Sequence, residues 1–348
     1  MDDMIATALR ERAEGDIHVE RLLDAVRTGV RRQRRRRFAV GFGAAAAVVA
    51  LVAAAGVATA PDRRPDGRTA QPAQSGRVPL PRPPAVAGAP TAADRPEVLG
   101  SGSGLFHLDI RGTPIGWRNA SWASTRGFEE LRFEAAETGG DVRVLAARDP
   151  IWLGELGPGA ASAAVDGLPA ETVEQGGTHV VRWQPRAGIW AQVWATGEPD
   201  SAIAVAGKLR FDRVYRCAVP FRLAGYAEPA LNKCSTDFVL DEDGLSATAA
   251  GTVWLTPVTG GPEYQVSVGR GRTDTVLNDT IAGRAVQVKP GATAPAPPPE
   301  IRYPFDGRTA YFWRFGDGPE EAFRALVAAF TPVPGPDPND WPATAFGS

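Results

Sequence analysis

From Leu99 to Val333, apolar residues recur in short alternating runs broken by Gly and Pro. That period of two predicts strands with one buried face, joined by tight turns. Two stretches depart from it. Ala202, Val205, Ala206 and Leu209 have helical spacing after Asp200 and Ser201, which can cap a helix. Phe323, Leu326, Val327 and Phe330 repeat the spacing behind Pro319, Glu320 and Glu321, residues that suit a first helical turn.

The two helices lie in an internal repeat. VVRWQPRAGIWAQVWATGEPDSAIAVAGKLRFDRV (180–214) aligns with EIRYPFDGRTAYFWRFGDGPEEAFRALVAAFTPV (300–333), pairing Gly188 with Gly307, Trp194 with Trp313, Gly197 with Gly316 and Phe211 with Phe330. Upstream, VDGLPAETV (165–173) parallels TIAGRAVQV (280–288), and FHLDIRGTPIGWRNASW parallels FRLAGYAEPALNKCSTDF. The expected fold class is α+β. It comprises two tandem, mainly antiparallel modules, 101–212 and 213–333, each ending in a helix packed on its sheet, and an unstructured tail, 334–348.

The N-terminal pattern differs. Residues 1–37 read as two short helices. The first sets Met4, Ile5, Ala8 and Leu9 on one side; Gly15 ends it and Asp16 caps the next. The second carries the stripe Val19, Leu22, Leu23, Val26 and Val30. This stripe can fold against the first helix, lie on a bilayer, or dock a cytoplasmic protein. Phe38 to Ala60 then contains no charge. As a helix it would reach about 34 Å, enough for a hydrocarbon core of about 30 Å. A core helix of that length would show a polar face. Arg31, Arg32, Arg34, Arg35, Arg36 and Arg37 precede it and place the N-terminus in the cytoplasm, against the lipid bilayer, and the C-terminal region outside. The alternative is a cleavable export signal ending at Ala58-Thr59-Ala60. The long structured head and Pro61, which would follow the cut, favour retention. Residues 61–100, rich in Pro, read as a disordered, semi-rigid spacer. VPLPRPP within it has the form of a polyproline ligand.

With 348 residues the chain has room for two ordinary domains. Its formal charge of −2 is unevenly spread. Residues 1–37 hold ten Arg against seven Asp and Glu, which gives the two ends different partners. Nearly all 38 basic residues are Arg, in a chain also rich in Ala, Gly and Pro. That bias fits a GC-rich genome, so the arginines are not read as a nucleic-acid signal.

Candidate chemistry is sparse. Cys217 and Cys234 form an even pair in an outer compartment, which predicts a disulfide brace. A redox switch is the alternative, although there is no C-x-x-C. His18, His107 and His179 make no cluster, and LDEDGLS (240–246) reads as an Asp-Gly turn, since it lacks the other ligands of a calcium loop. No metal site or cofactor is expected. An enzyme would need a convergent set such as Glu171 or Glu174 beside His179. Trp152, Trp183, Trp190 and Trp194 lie close in sequence and can either fill a core or line a sugar or peptide groove.

The helical head, arginine run, Ala/Val span, Pro-rich spacer and β-rich outer part, together with LRFDRVYRCAVPFRLAG (209–225), resemble a group of single-pass membrane proteins of high-GC Gram-positive bacteria. These are encoded beside extracytoplasmic-function sigma factors, and some proteins of this shape are anti-sigma factors. The resemblance implies a sigma factor as cytoplasmic partner and an envelope ligand outside. Many anti-sigma heads bind zinc through a His and paired Cys. Residues 1–37 hold His18 and no Cys, so zinc is not expected. Two readings result: a binding or sensing protein without enzymatic activity, regulating a sigma factor, or a membrane-anchored envelope hydrolase.

Overall fold

The run EYQVSVGR shows how alternation becomes structure. Tyr264, Val266 and Val268 are buried, while Gln265 and Ser267 stay half-exposed on the other side of the strand. The computed structural model describes residues 79–348 apart from 113–116, 136–139, 199, 226–230, 241–245, 257–260, 272–274, 292–296 and 347–348. Residues 1–37, including the Val19–Val30 stripe and Arg31–Arg37, and the uncharged run 38–60 lie outside the described residues. Among the described residues, no helix is long and apolar enough to cross a membrane.

The first half contains β1 (Leu105–Phe106), β2 (Asp109–Ile110), β3 (Trp117–Thr125), β4 (Phe128–Ala135), β5 (Asp141–Ala147), β6 (Ala161–Val165), β7 (Leu168–Gln175), β8 (Thr178–Arg186) and β9 (Ile189–Thr196). Helix α1 (Ser201–Ala206), β10 (Leu209–Arg210) and β11 (Tyr215–Arg216) follow. The second half contains β12 (Phe221–Leu223), β13 (Leu231–Leu240), β14 (Ala247–Leu255), β15 (Glu263–Arg270), β16 (Asp279–Ile281), β17 (Arg284–Lys289), β18 (Glu300–Phe305) and β19 (Arg308–Phe315). Helix α2 (Glu320–Ala329) and β20 (Phe330–Pro332) close it.

Fourteen strands form one antiparallel sheet in the order β16-β17-β18-β19-β15-β14-β13-β3-β4-β5-β9-β8-β7-β6. Read outward from β3 and β13, both wings have the same order. The innermost strands, β3 and β13, pair with each other, Ser121 opposite Asp237 and Ser124 opposite Cys234. This overturns the expected α+β class with two tandem modules. The described chain is mostly β, with two α-helices, and the halves are fused by seven residue pairs of backbone ladder. Any strand edge can satisfy any other through N–H and C=O groups, so side-chain alternation gives no notice of this seam.

The hairpin turns are locally encoded. Asp166-Gly167, Ala282-Gly283 and Asp306-Gly307 all have positive φ at both positions, as two-residue primed turns require. One sheet face carries the core, with Trp122, Leu131, Val144, Val193, Val253 and Phe312 essentially inaccessible. Helix α1 contributes Ala202 and Ala206 to this core, and α2 contributes Phe323, Leu326 and Val327. Each large side chain so buried contributes roughly 1.5–3 kcal/mol.

Two segments read as loose are packed. Leu80, Ala92 and Leu99, from the Pro-rich stretch, are buried. Arg82, within VPLPRPP, pairs with buried Asp109, as does Arg210, and the Tyr215 hydroxyl donates to the same carboxylate at 2.7 Å. Burial, then the bond to Asp109, raises the pKa of Tyr215. In the tail, Trp341 is buried, and Arg216 donates to the carbonyls of Pro338, Asn339, Trp341 and Pro342.

Candidate functional site

Register determines what stands on the face away from the core. Residues directly opposite one another share a face, and one step along a strand crosses to the other. One row therefore runs from Glu171 through Arg182, Gln192, Leu145 and Glu130 to Ala123. It crosses the seam to Ser235 and continues through Thr252, Ser267, Tyr311 and Arg302 to Gln287. Adjacent rows add Arg143 with Trp194 and Lys233 with Trp254. The same strands that bury Val, Leu and Phe beneath thus display charge, amide, hydroxyl and indole above.

The side chains on this face are bonded laterally. Glu130 accepts from Arg143 Nε at 2.7 Å and from Lys233 Nζ at 3.3 Å. Burial pushes its pKa up, but Lys233 and then Arg143 outweigh that and hold it below the ordinary value. The Arg143 guanidinium lies 5.2 Å from the Trp194 ring centre, Lys233 Nζ 4.9 Å from that of Trp254, and the Arg302 guanidinium 5.5 Å from that of Tyr311. Tyr311 and Trp313 stack at 5.5 Å and 7°. Arg302 also forks onto Glu300, at 2.9 and 3.0 Å. Each cation–aromatic contact contributes about 0.5–1 kcal/mol where solvent reaches it. Asp237, beside the seam, accepts from Ser235 Oγ at 3.0 Å; burial raises its pKa.

Among the described residues, the turn at Pro150–Leu153 lies over β5 and β9, where Leu153 packs with Leu145, Ala147, Trp190 and Trp194. The indoles of Trp254 and Trp313 and the ring of Tyr311 remain partly accessible. Glu130, Gln192, Ser235, Thr252 and Arg302 are themselves buried by their neighbours, so the accessible part of this face lies around Trp254, Tyr311 and Trp313. It offers aromatic faces beside both signs of charge, an arrangement that suits an extended polar ligand laid across strands.

The tryptophans divide by register. Trp183 and Trp122 fill the core, Trp190 and Trp194 stand on the opposite face, packed beneath the covering segment with Leu153, and Trp152 is half-exposed on the covering turn. The predicted disulfide is present: Cys217 and Cys234 are bonded and buried, joining the segment before β12 to β13 beneath the seam. Glu174 lies opposite His179, whereas Glu171 lies opposite Arg182 on the other face. Of the two candidate carboxylates, Glu174 is thus brought beside His179 and Glu171 is not. His107 is held elsewhere, buried against Glu129 with Nδ1 at 2.7 Å. Glu129 also accepts from the backbone N–H groups of His107 and Leu108. Among the described residues, no group of three or more His, Cys, Asp or Glu is placed to hold a metal ion. Residues 241–245 of the Asp-rich turn are outside the described residues. Sequence reading missed Glu130, Lys233 and Arg302 because their signal is cross-strand register, which brings Lys233 to Glu130 across 103 residues of chain.

No family model matches the chain, and no curated protein matches it. Among solved structures, MucB in complex with MucA(peri) aligns at 9% identity and a TM-score of 0.22, covering 63% of this chain and 94% of that one. The Pseudomonas aeruginosa MucA/MucB complex aligns at 12% identity and a TM-score of 0.20, with the same coverage. A superposition that loose does not establish a common fold.

Proposed function

We propose that this chain is a single-pass membrane protein that binds rather than catalyses, with its β region outside the membrane and its N-terminal helices inside. The observation that carries the binding role is the outer face of the second wing, where Trp254 and Tyr311 are each flanked by a cation on a sheet already stabilised by the core beneath. The occupant is an extended polar component of the envelope. The Cys217–Cys234 disulfide fits an oxidising compartment. The arginine run before residues 38–60 supports the orientation. The Val19–Val30 stripe is the contact for a cytoplasmic protein, and the resemblance in layout makes that protein an extracytoplasmic-function sigma factor.

Two measurements test the two ends. Full-length chain in detergent micelles is passed over cell-wall polysaccharide, with Trp254→Ala/Trp313→Ala as the comparison. A tenfold loss of retention with an unchanged melting temperature is expected, and equal retention refutes the face. Co-expression with the sigma factor of a neighbouring gene should give a complex for the native head and none for Leu22→Asp/Leu23→Asp. Equal recovery from both, or from neither, refutes the regulatory contact.

A further inference from the structure

The two ends of the sheet are built differently. At one end β16 is three residues long, and Arg324 reaches it from α2, pairing with Asp279 at 2.6 Å and donating to the Thr280 carbonyl. A short, charge-guarded edge resists further pairing. At the other end β6 is five residues long, Ala-Ser-Ala-Ala-Val, with no charge and no proline. Among the described residues its only ladder is with β7.

The turn fixes which backbone groups of β6 are committed. Asp166 and Gly167 make a two-residue primed turn, so Val165 and Leu168 form the hydrogen-bonded pair that closes the hairpin. Bonded and non-bonded pairs then alternate. Ala163 and Ala161 direct their N–H and C=O toward β7, and Ser162 and Ala164 direct theirs outward. Pro169 opposite Ala164 agrees with this, since no N–H is required of it there.

We propose that this edge pairs with the same edge of a second copy of the chain, antiparallel about a two-fold axis at Ala163. In that register Ser162 of one copy faces Ala164 of the other, and their outward groups make four backbone hydrogen bonds. Ala163 faces its own counterpart in a non-bonded pair. The strand is self-complementary: no like charges meet, Ala161 faces Val165 at each end, and only Ala, Ser and Val side chains lie across the join. The operation repeats between copies what the β3–β13 seam does between halves, where two antiparallel strands fuse two wings into one sheet. A five-residue ladder buries little area, so the dimer is weak and concentration-dependent.

The test uses full-length chain in detergent micelles. Ala163→Cys should form an intermolecular disulfide under mild oxidation at least tenfold faster than Glu174→Cys, an exposed site one strand inward. Ala164→Pro removes an outward donor without touching the β6–β7 bonds. Added to Ala163→Cys it should abolish that cross-link, and alone it should weaken self-association at least fivefold by sedimentation equilibrium. Cross-linking no faster than at the control site overturns the proposal, as does cross-linking that survives the proline. If Ala163→Cys does not fold, sedimentation of native chain against Ala164→Pro decides, and equal association refutes the edge.

Discussion

Lys233 and Glu130 are 103 residues apart in the chain and 3.3 Å apart in the fold. One comes from β13 and the other from β4, on the far side of β3. Their contact spans the seam on the outer face, with Arg143 on the other Glu130 oxygen.

That relationship predicts a pH dependence. Glu130 has a depressed pKa in the fold. Its stabilising contribution is therefore fully present above the ordinary glutamate pKa of about 4.3, and it disappears as pH falls through the lower folded value. Glu130→Gln should lower stability at pH 7 by about 1–3 kcal/mol, and the gap to the native chain should close in acid. Denaturant melts at pH 7 and pH 3 would show it; a gap of the same size at both would contradict the assignment.

Gly251 marks a close approach. A Cβ there would lie 2.8 Å from Val219 Cγ1 and 2.9 Å from Val219 Cα, because the Cys217–Val219 segment crosses β14 on the core side. Thr236 Oγ1 fixes that segment by accepting from the Ala218 N–H and donating to its carbonyl. Gly251→Ala must shift backbone and should cost about 1–3 kcal/mol, seen as a lower melting temperature. Gly269→Ala, in the neighbouring strand and with open space around it, is the mild control.

Ala282 holds φ at +49° in a turn where its counterpart is Asp166. An alanine side chain in the left-handed region costs roughly 1–2 kcal/mol. Ala282→Gly should therefore raise stability by up to about 1 kcal/mol after the glycine's own entropy is counted. A fall in melting temperature would show that the turn is not strained.

Arg216 is the clamp on the C-terminal segment. Arg216→Met removes its donors to four carbonyls and should free residues 337–346. The Leu223 N–H, bonded to the Ala345 carbonyl at 2.7 Å, should then exchange much faster, and Trp341 fluorescence should shift to the red. Native-like exchange at Leu223 would show that Trp341 and Phe346 hold the tail without the arginine.

The local vocabulary of the fold is legible in the residues. Tyr264, Val266 and Val268 announce a strand, Asp306-Gly307 announces its hairpin, and Phe323, Leu326 and Val327 announce the buried side of a helix. The oxidisable pair Cys217 and Cys234 was equally plain. The class of fold was not, and neither was the surface built around Glu130, Lys233 and Arg302.

The sequence by itself determined where the chain extends, turns and coils, because these are properties of near neighbours: a period of two or of 3.6, and a glycine where φ must be positive. Only the tertiary structure decided that β3 joins β13, that fourteen strands make one sheet, and that Arg143, Trp194, Lys233 and Trp254 share its outer face. Backbone ladders bond N–H to C=O without regard to side chain, so the choice of partner rests on how the whole core closes.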